Sequence, residues 1–497
     1  MSLQPAGGRR PILKALLPGL VLAVGLALAA CHQPSGQQAG TAAAPPQRPP
    51  PPPFTAHDAS LALDALRHAP DHGFPVERFH VEEIEQDLGS AADQPEGQRR
   101  LRAAVIDYAR LQHGLMIPLG ALPREWSRGP QDHSAAYDAT AELDAALRAG
   151  TVPAWLDGLP PQTREYRVLQ AAYVAAKAES AETAPRPRLE PGPLDLDAQD
   201  ARTAALRQRL APEKASAAAI DAEAPVDQAL IDRLRAYQTR HGLPPTGVVD
   251  QATADRLNAP AVNQASRLRV NLERLRWLPR PTPARRIDVN IAAAEMDYIR
   301  GDEPAIHMLA VSGKLGDETP IVSSAIDSIV LNPPWYVPND IAAREIVPKG
   351  AAYMQSRHFV WRGGRVIQQP GPKTALGLVK FDFPNPYAVY LHDTPSKASF
   401  SQAQRAASHG CVRLQHAVEL ARIVATDEPG LSAERVDRIL ASDKTARLKL
   451  AQPVPVRLMY LTAEAKGDEI VYHPDVYSWD GRLLALIERY QTPRRRR

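Results

Sequence analysis

The chain has 497 residues, of which 44% are hydrophobic and 23% are charged, and its formal net charge is +3. This length accommodates about three domains, and this hydrophobic content supplies sizeable cores, so the composition excludes a wholly disordered protein. A nearly balanced charge gives little overall attraction to nucleic acid, and we expect no nucleic-acid partner.

The first 30 residues have the pattern of a secretory signal peptide. Arg9, Arg10 and Lys14 provide positive charge, and an uncharged apolar stretch follows over residues 16–30. That stretch is too short to span a membrane comfortably and ends in small residues, as secretory signals do. We therefore predict an exported protein.

The end of this signal resembles the lipoprotein signal-peptidase box, in Leu28-Ala29-Ala30-Cys31. In such boxes the cysteine becomes the lipidated first residue, which implies a lipid anchor at Cys31. In the Gram-negative lipoproteins that this resembles, His32 in place of Asp favours release to the outer membrane. We expect a periplasmic protein anchored there by a Pro-rich tether over residues 31–53. The alternative is a plain signal peptide cleaved near Ala30, with an incidental Cys31.

Residues 54–195 are rich in Ala, Leu and Arg and predict a helical domain. Amphipathic helices are expected over 101–111 and 164–178. The histidines of this region lack a regular ligand spacing, so we interpret it as a helical scaffold without catalytic residues.

A smaller helical unit is predicted over residues 196–260. Short helices are expected near 204–210, from Val226 towards Gly242, and up to Leu257. One segment closely resembles the small three-helix peptidoglycan-binding domain, in Tyr237-Gln238-x-x-x-Gly242-Leu243-Pro244-Pro245-Thr246-Gly247-Val248-Val249-Asp250-x-x-Thr253. The resemblance implies docking on glycan strands or stem peptides. The alternative is a helical hairpin that binds no ligand.

From residue 286 the pattern changes to alternating apolar and polar residues. The alternation over 287–291, 388–391 and 454–460 predicts half-buried strands. Frequent Gly and Pro residues indicate long loops between these strands. We predict a β-rich domain over residues 286–480, followed by a C-terminal helix and basic tail over 481–497. The whole chain is then a multidomain α+β protein.

The chain has two cysteines, and lipidation of Cys31 would leave Cys411 unable to form an internal disulfide. As a nucleophile, Cys411 needs a base or an electropositive environment, and His392 and His409 are the candidate bases. Gly410 permits a tight turn whose backbone N–H groups form an oxyanion hole. Arg413 would share a strand face with Cys411 and bind a carboxylate.

Two other interpretations of Cys411 remain open on the residues alone. Cys411 could be a buried residue that only packs in an apolar core, although His and Arg residues are unusual neighbours for such a cysteine. It could also bind zinc together with His392 and His409, although no short, regularly spaced ligand pair is present.

The spacing of these residues resembles the L,D-transpeptidase, or YkuD-type, catalytic motif. That motif is a histidine, about fifteen residues, and then Ser/Thr-His-Gly-Cys, a hydrophobic residue and Asn or Arg. The matching residues here are His392 and Ser408-His409-Gly410-Cys411-Val412-Arg413. The resemblance implies that Cys411 is the nucleophile and His392 the base, oriented by the backbone carbonyl of Asp393.

By the same resemblance, His409 and Gly410 would surround the oxyanion together with Cys411. The candidates for substrate binding are Arg413, Tyr387, Asp393 and Ser408. No metal or organic cofactor is implied.

The segment Leu376-Gly377-x-x-Lys380-Phe381-x-Phe383-Pro384-Asn385-x-Tyr387 resembles the large periplasmic subgroup of this family. That subgroup is built from a helical scaffold, a peptidoglycan-binding domain and a catalytic domain. It implies a connector over 261–285 that returns to the scaffold, and a lid over about 333–370.

The implied activity is acyl transfer between peptidoglycan stem peptides. Cys411 would attack the bond between diaminopimelate and the terminal D-Ala of a tetrapeptide stem and form a thioester. An amine acceptor would then take the acyl group, giving a diaminopimelate–diaminopimelate cross-link. Carbapenem-type inhibitors are expected to acylate the cysteine. The alternatives are a cysteine L,D-carboxypeptidase or endopeptidase of the wall, and a non-catalytic lipoprotein that tethers the membrane to the wall.

Overall fold

The structure is a computed structural model that describes residues 50, 52–126, 137–181, 187–210, 224–240, 243–258, 261–301, 303–371 and 373–491. The expected signal peptide, the lipidation site Cys31 and the basic residues 494–497 lie outside these ranges. Within them the fold is α+β, with a helical first part and a β-rich second part, as predicted. No helix among the described residues is both long enough and apolar enough to cross a membrane.

The N-terminal part is a helical scaffold whose first helix begins at a defined cap. The Thr55 hydroxyl accepts a hydrogen bond from the Asp58 N–H and so satisfies a free helix donor. Apolar residues at helical spacing, such as Leu101 and Val105, are fully buried. The scaffold helices are α1 Ala56–Arg67, α2 Val81–Gly89, α3 Gln94–Gln112, α4 Ala139–Ala149, α5 Val152–Gly158 and α6 Arg164–Ala181.

The region that resembles the peptidoglycan-binding domain, named the peptidoglycan-binding region after that resemblance, contains helices α7 Thr203–Leu210, α8 Gln228–Arg240 and α9 Gln251–Leu257. The fully buried Gln238 amide holds the turn between α8 and α9. Its Nε2 donates to the Val248 carbonyl at 2.8 Å, and its Oε1 accepts from the Gly247 N–H at 2.9 Å. Gln238 and Gly247, whose φ is +74°, thus fix this turn together.

The boundary of this region differs from the predicted start at residue 196. Leu189 is buried in the core of the small domain, and Gly192 forms a β-bridge with Val249. Residues 187–195 therefore pack with the peptidoglycan-binding region and not with the scaffold. A Pro-rich segment without periodicity carries no sequence signal for such contacts.

Helix α10, Ala261–Arg276, packs along α6 and leads into the β-rich domain. Its Arg276 guanidinium is buried, bonds Glu273 at 3.0 Å, and donates to the Tyr166 hydroxyl of α6 at 2.8 Å. The connector is thus fixed to the scaffold by a paired, buried charge.

The main sheet of the β-rich domain has the order β10-β3-β11-β9-β8-β4-β12-β1-β2. Because β3 also pairs with β2, the sheet closes into a ring around an apolar core. Helices α13 Ala417–Thr426, α14 Ala433–Ala441 and α15 Trp479–Tyr490 complete the domain. The strands of this sheet are β1 Arg285–Asn290, β2 Glu295–Arg300, β3 Glu303–Gly313, β4 Val322–Leu331, β8 Val379–Asp382, β9 Leu391–His392, β10 Ala406–Ser408, β11 Val412–Leu414 and β12 Ala446–Met459. Strands β13 Ala463–Lys466 and β14 Glu469–Tyr472 form a separate hairpin.

The strand predicted over 388–391 is shorter in the structure, where β9 contains only Leu391 and His392. Ala388 adopts a positive φ of 54°, which interrupts an extended strand. The Asn385 side chain stabilises this turn by accepting hydrogen bonds from the Tyr387 and Val389 N–H groups.

The lid segment folds as a small unit with its own core. Strands β5 Trp335–Tyr336, β6 Phe359–Arg362 and β7 Arg365–Gln368 form a sheet in the order β5-β7-β6. Helix α11 Asn339–Ile341 continues into a π-helical turn over Ala342–Ile346, and α12 spans Gly350–Ser356. The buried lid residues include Val337, Ile341, Met354 and Val366.

Candidate active site

The sheet register brings the expected nucleophile and base to one face. Strands β9 and β11 are parallel neighbours, with Leu391 opposite Val412 and His392 opposite Arg413. Side chains alternate along strands, so His392 and Arg413 share a face, and Cys411 precedes Arg413 by two positions. The sheet register therefore places His392 on the same face as Cys411 and Arg413, which lie about twenty positions later in the sequence.

Two further residues, not singled out by the sequence analysis, lie on this face. Lys380 of β8 is directly opposite His392. Its Nζ lies 4.0 Å from the centre of the Tyr390 ring, and that ring packs edge-on to His392 at 5.6 Å. The sequence pattern next to His392 predicted a strand, but it did not indicate that β8 would pair with β9.

A backbone hydrogen bond fixes the tautomer of His392. Nδ1 lies 2.5 Å from the carbonyl oxygen of Asp393. Because a carbonyl oxygen can only accept a hydrogen bond, Nδ1 carries the proton and donates it. Nε2 is then the unprotonated nitrogen, which is the form a general base requires. The geometry agrees with the orientation that the resemblance implied for His392.

Burial governs the protonation of both groups. Burial, together with a smaller contribution from the positive charge of Arg413, lowers the pKa of His392 to about 4. Burial also raises the pKa of the half-buried Cys411, an effect opposed by contacts with Tyr390 and by the charges of Lys380 and Arg413. At rest Cys411 is therefore a neutral thiol and His392 a neutral imidazole, rather than the thiolate expected of an electropositive site.

Asp393 faces the protein interior and not the expected substrate position. Its carboxylate accepts from the Leu378 N–H at 2.9 Å and pairs with Lys397 Nζ at 2.6 Å. Gly377 must be glycine, because its φ is +60° and a Cβ would lie 2.3 Å from Asp393 Oδ2. Asp393 thus supports the backbone that holds His392.

The turn that carries Cys411 is held by hydrogen bonds from several elements. The Ser408 hydroxyl donates to the Cys411 carbonyl at 2.6 Å. The Thr319 hydroxyl donates to the Gly410 carbonyl at 2.8 Å and accepts from the Gly313 N–H at 2.8 Å. Gly410 itself has φ +101°, a conformation that side-chain-bearing residues rarely adopt. Cys411, the candidate nucleophile, therefore lies on a preorganised turn.

This arrangement changes the expected composition of the oxyanion hole. The Gly410 N–H already donates to Ser408 Oγ at 3.1 Å. No hydrogen bond from the Cys411 N–H is found within the described ranges, so this amide is the better oxyanion donor. Ser408 thus shapes the turn and is not directed at a substrate.

His409 connects the motif to the lid. Its Nε2 lies 2.7 Å from Glu345 Oε1, in the π-helical turn, and the ring N–H donates to the carboxylate. Glu345 was not predicted, since a single exposed acid in a lid carries no motif signal. The contact places the lid against the catalytic turn.

The two substrate-positioning candidates have different surroundings. Arg413 is half-buried, and in the described part of the chain its guanidinium has no ion pair or hydrogen bond. The Tyr387 hydroxyl, in contrast, donates to the Arg124 carbonyl of the scaffold. Arg413 is therefore available for an anionic group, whereas Tyr387 joins the catalytic domain to the scaffold.

The zinc interpretation has little geometric support. His392 directs Nδ1 to a carbonyl, and His409 directs Nε2 to Glu345. Across the described ranges, no group of three His, Cys, Asp or Glu side chains is arranged to hold a metal ion.

Comparison with known proteins assigns the domains. Residues 284–442 match the family model described as the L,D-transpeptidase catalytic domain. Residues 54–172 match the Scaffold domain, and residues 201–257 match the "Putative peptidoglycan binding domain". The resemblances to the L,D-transpeptidase catalytic domain and to the peptidoglycan-binding domain are confirmed.

A curated relative is similar to part of the chain. The "Putative L,D-transpeptidase" of Haemophilus influenzae is 31% identical over 249 residues, which cover 46% of this chain and 50% of the relative. The chain thus spans about half the length of this relative.

Solved structures are similar only at a low level. The LD transpeptidase LdtMt1 in complex with imipenem is 16% identical with a TM-score of 0.20, covering 35% of this chain and 58% of that one. An L,D-transpeptidase from Xylanimonas cellulosilytica is 15% identical with a TM-score of 0.17, covering 54% of this chain and 98% of that one.

Proposed function

Because residues 284–442 are a catalytic domain of the L,D-transpeptidase family, we propose that this chain cross-links peptidoglycan stem peptides through Cys411. The donor is a tetrapeptide stem, cleaved between diaminopimelate and the terminal D-Ala. The acceptor is an amine of a neighbouring stem, and the product is a diaminopimelate–diaminopimelate cross-link. The peptidoglycan-binding region would hold the chain near its substrate.

The observation that carries the proposal is the state of His392. Its Nδ1–H donates a hydrogen bond to the Asp393 carbonyl, so Nε2 is the nitrogen that can accept a proton. His392 lies on the sheet face that also presents Cys411. A buried neutral imidazole on the same sheet face as a half-buried neutral thiol is suited to proton transfer as the nucleophile attacks.

The proposed reaction has two balanced halves. The Cys411 thiol proton passes to His392 Nε2 while Sγ bonds to the diaminopimelate carbonyl carbon. The carbon–nitrogen bond to D-Ala then breaks, and the D-Ala amine leaves with that proton. In the second half, the acceptor amine attacks the thioester, gives a proton to His392, and releases the Cys411 thiolate, which is reprotonated.

The choice between an amine and water as acceptor distinguishes the transferase from the hydrolytic alternative. The lid contacts the catalytic turn through Glu345 and His409, which supports a site partly sheltered from water. A sheltered thioester would persist until an amine acceptor binds. This arrangement favours transfer over hydrolysis.

Intact-mass spectrometry with a disaccharide tetrapeptide tests the proposal. We expect a covalent adduct on the wild-type chain, lacking the mass of D-Ala, followed by cross-linked dimers as the product. Cys411→Ala should form neither adduct nor product while remaining folded. Trimmed tripeptides without dimers would favour the hydrolase, and wall binding without any product from either form would favour the tether.

We also propose that the mature chain is a periplasmic lipoprotein held at the outer membrane through Cys31, which lies outside the described residues. The support is the Leu28-Ala29-Ala30-Cys31 box and the residue that follows it. Cys31→Ala should give unprocessed precursor or a soluble periplasmic form, because stable anchoring requires more than one acyl chain. If this variant fractionates with the membrane as firmly as wild type, the anchor is wrongly assigned.

A further inference from the structure

The loop that follows strand β3 lies against the catalytic turn. Strand β3 ends at Gly313, which is paired with Ser408 of β10. A Cβ on Gly313 would clash with the Asp317 carbonyl oxygen and would lie 2.8 Å from the Thr319 nitrogen. The loop from Gly313 to Thr319 is therefore tightly folded, and a group that fixes this loop also fixes the turn that carries Cys411.

The hydroxyl of Tyr477 reaches this loop from the segment between β14 and α15. It donates a hydrogen bond to the Gly313 carbonyl at 2.6 Å and accepts one from the Thr319 N–H at 3.2 Å. Burial raises the pKa of Tyr477, so the hydroxyl keeps its proton at neutral pH. The Thr319 hydroxyl in turn donates to the Gly410 carbonyl at 2.8 Å. A chain of hydrogen bonds thus connects Tyr477 to the residue that precedes Cys411.

Aromatic packing holds the buried ring of Tyr477 in place. The ring stacks on Tyr460 at 5.3 Å between ring centres, with an interplanar angle of 16°, and lies 4.8 Å from the Trp479 ring. Trp479 packs edge-on against Trp126 of the scaffold at 5.3 Å. The Tyr477 N–H also donates to the Tyr460 hydroxyl at 2.9 Å. Because both the ring and the backbone are held, the Tyr477 hydroxyl is preorganised toward the loop.

The scaffold contacts the same loop just beyond its end. Ile321, two residues after Thr319, donates its N–H to the Glu125 carbonyl of the scaffold at 2.8 Å. Glu125 is adjacent to Trp126. Tyr477 lies outside residues 284–442, which match the catalytic domain. The support of the loop therefore comes from parts of the chain that the matched catalytic domain does not include.

We propose that Tyr477 is a positioning residue of the active site, whose hydroxyl holds the loop from Gly313 to Thr319 and, through it, the turn that carries Cys411. Its effect on acylation rests on the proposed function. Tyr477 acts through Thr319 and Gly410, and it does not exchange protons with the substrate. A purely structural role would instead lower the stability of the fold without changing the reactivity of Cys411.

The test measures acylation of the full mature chain by a carbapenem, as mass gain over time at several inhibitor concentrations. This separates the maximal acylation rate from the half-saturating concentration. Tyr477→Phe keeps the packed ring and removes only the hydroxyl. Tyr298→Phe is the matched control, because Tyr298 is a fully buried ring of the same domain whose hydroxyl donates to Asp427 at 2.6 Å. Chemical denaturation gives the free energy of unfolding of each variant.

We expect Tyr477→Phe to lower the maximal acylation rate about 10-fold, with little change in the half-saturating concentration, since one hydrogen bond contributes up to about this factor. Tyr298→Phe should acylate like wild type even where it loses as much stability. A Tyr477→Phe chain that acylates like wild type, or equal slowing in both variants, would overturn the proposal.

The double variant Tyr477→Phe/Thr319→Val tests the route. Both substitutions remove the same chain of hydrogen bonds, so their effects should not multiply. We expect the double variant to acylate about as slowly as the slower single variant. Losses that multiply would show that the Tyr477 hydroxyl does not act through Thr319.

The fate of the positioning residue is separable from that of the proposed function. A wild-type chain that is acylated, with Tyr477→Phe equally fast, keeps the function and loses the positioning role. A wild-type chain that is not acylated loses the function, and the turn is then examined by amide hydrogen exchange over residues 408–412. Faster exchange there in Tyr477→Phe, and not in Tyr298→Phe, would support the positioning role, and equal exchange in wild type and both variants would overturn it.

Discussion

Glu345 of the lid accepts a hydrogen bond from His409, two residues before Cys411. The contact joins a lid that has its own core to the turn that carries Cys411, the proposed nucleophile. We predict that Glu345→Ala lowers kcat/KM for stem peptides by about 10-fold, since a hydrogen bond to a charged group contributes about 1.5 kcal/mol. Steady-state kinetics with a tetrapeptide donor measure this.

Asp340→Ala is the control for the lid prediction. Asp340 is an exposed acid of the same lid, where it pairs with Arg344 and not with the catalytic turn. It should behave as wild type. Equal losses in the two variants would mean that any charge change in the lid disturbs activity, and that the contact with His409 has no special role.

The fully buried Thr319 hydroxyl links Gly410 to Gly313. We predict that Thr319→Val lowers the free energy of unfolding by about 2 kcal/mol, because it leaves a buried carbonyl and a buried N–H unpaired. It should also slow acylation of Cys411 by loosening the turn. Chemical denaturation and adduct formation measured over time provide the two readouts.

Thr319→Ser keeps the hydroxyl and should recover most of both losses. If the serine variant acylates as slowly as the valine variant, the methyl group and not the hydrogen bonds positions the turn.

The low pKa of His392 makes a prediction about pH. Burial stabilises the neutral ring, so the base remains unprotonated down to about pH 4 and is lost only below it. We expect the acylation rate of Cys411 to be level from about pH 5.5 to 7.5 and to fall below about pH 4.5. It should rise again only at distinctly alkaline pH, where the thiol itself ionises, because burial raises the pKa of Cys411 above its ordinary value. A rate that increases through an apparent pKa near 6.5 would instead indicate a solvated histidine.

The catalytic motif could be predicted from the sequence because its spacing is local. Ser408 to Arg413 are contiguous, and the turn they form depends on Gly410 and on hydrogen bonds within the segment. The orienting carbonyl of His392 is also a sequence neighbour.

The supporting contacts could not be predicted, because they depend on tertiary structure. Glu345 is 64 positions from His409, and Thr319 is 91 positions from Gly410. Neither distance nor residue type indicates a partner until the sheet register and lid position are known. The inward orientation of the Asp393 side chain likewise depends on Gly377. In the folded turn, the absence of a Cβ at Gly377 leaves space for the Asp393 carboxylate.

Arg413 provides a test of substrate recognition. Its half-buried guanidinium shares the sheet face of His392 and has no recorded ion pair among the described residues. We predict that Arg413→Gln raises KM for the tetrapeptide donor about 10-fold or more, with a smaller change in kcat, because a charged partner for a carboxylate is lost. Arg413→Lys should show a partial loss, since it keeps the charge but not the planar donor pair.

The exposed Arg435 of α14 is the matched control for this substitution. Arg435→Gln should leave both constants unchanged. A selective fall in kcat for Arg413→Gln, with KM unchanged, would assign Arg413 to the charge environment of Cys411 and not to substrate binding.

Acylation by a carbapenem separates the transferase from the zinc and tether interpretations. These inhibitors are strained acyl donors that carry a carboxylate, which matches a nucleophile at Cys411, an amide donor in the same turn and the guanidinium of Arg413. We predict a stable adduct on Cys411, absent in Cys411→Ala and slowed by about 10²–10⁴-fold in His392→Ala, the usual effect of removing a general base. Intact-mass measurement should give the same adduct with and without a chelator. A folded, wall-binding chain that gains no mass would reject Cys411 as the nucleophile, and activity lost to the chelator would restore the metal interpretation.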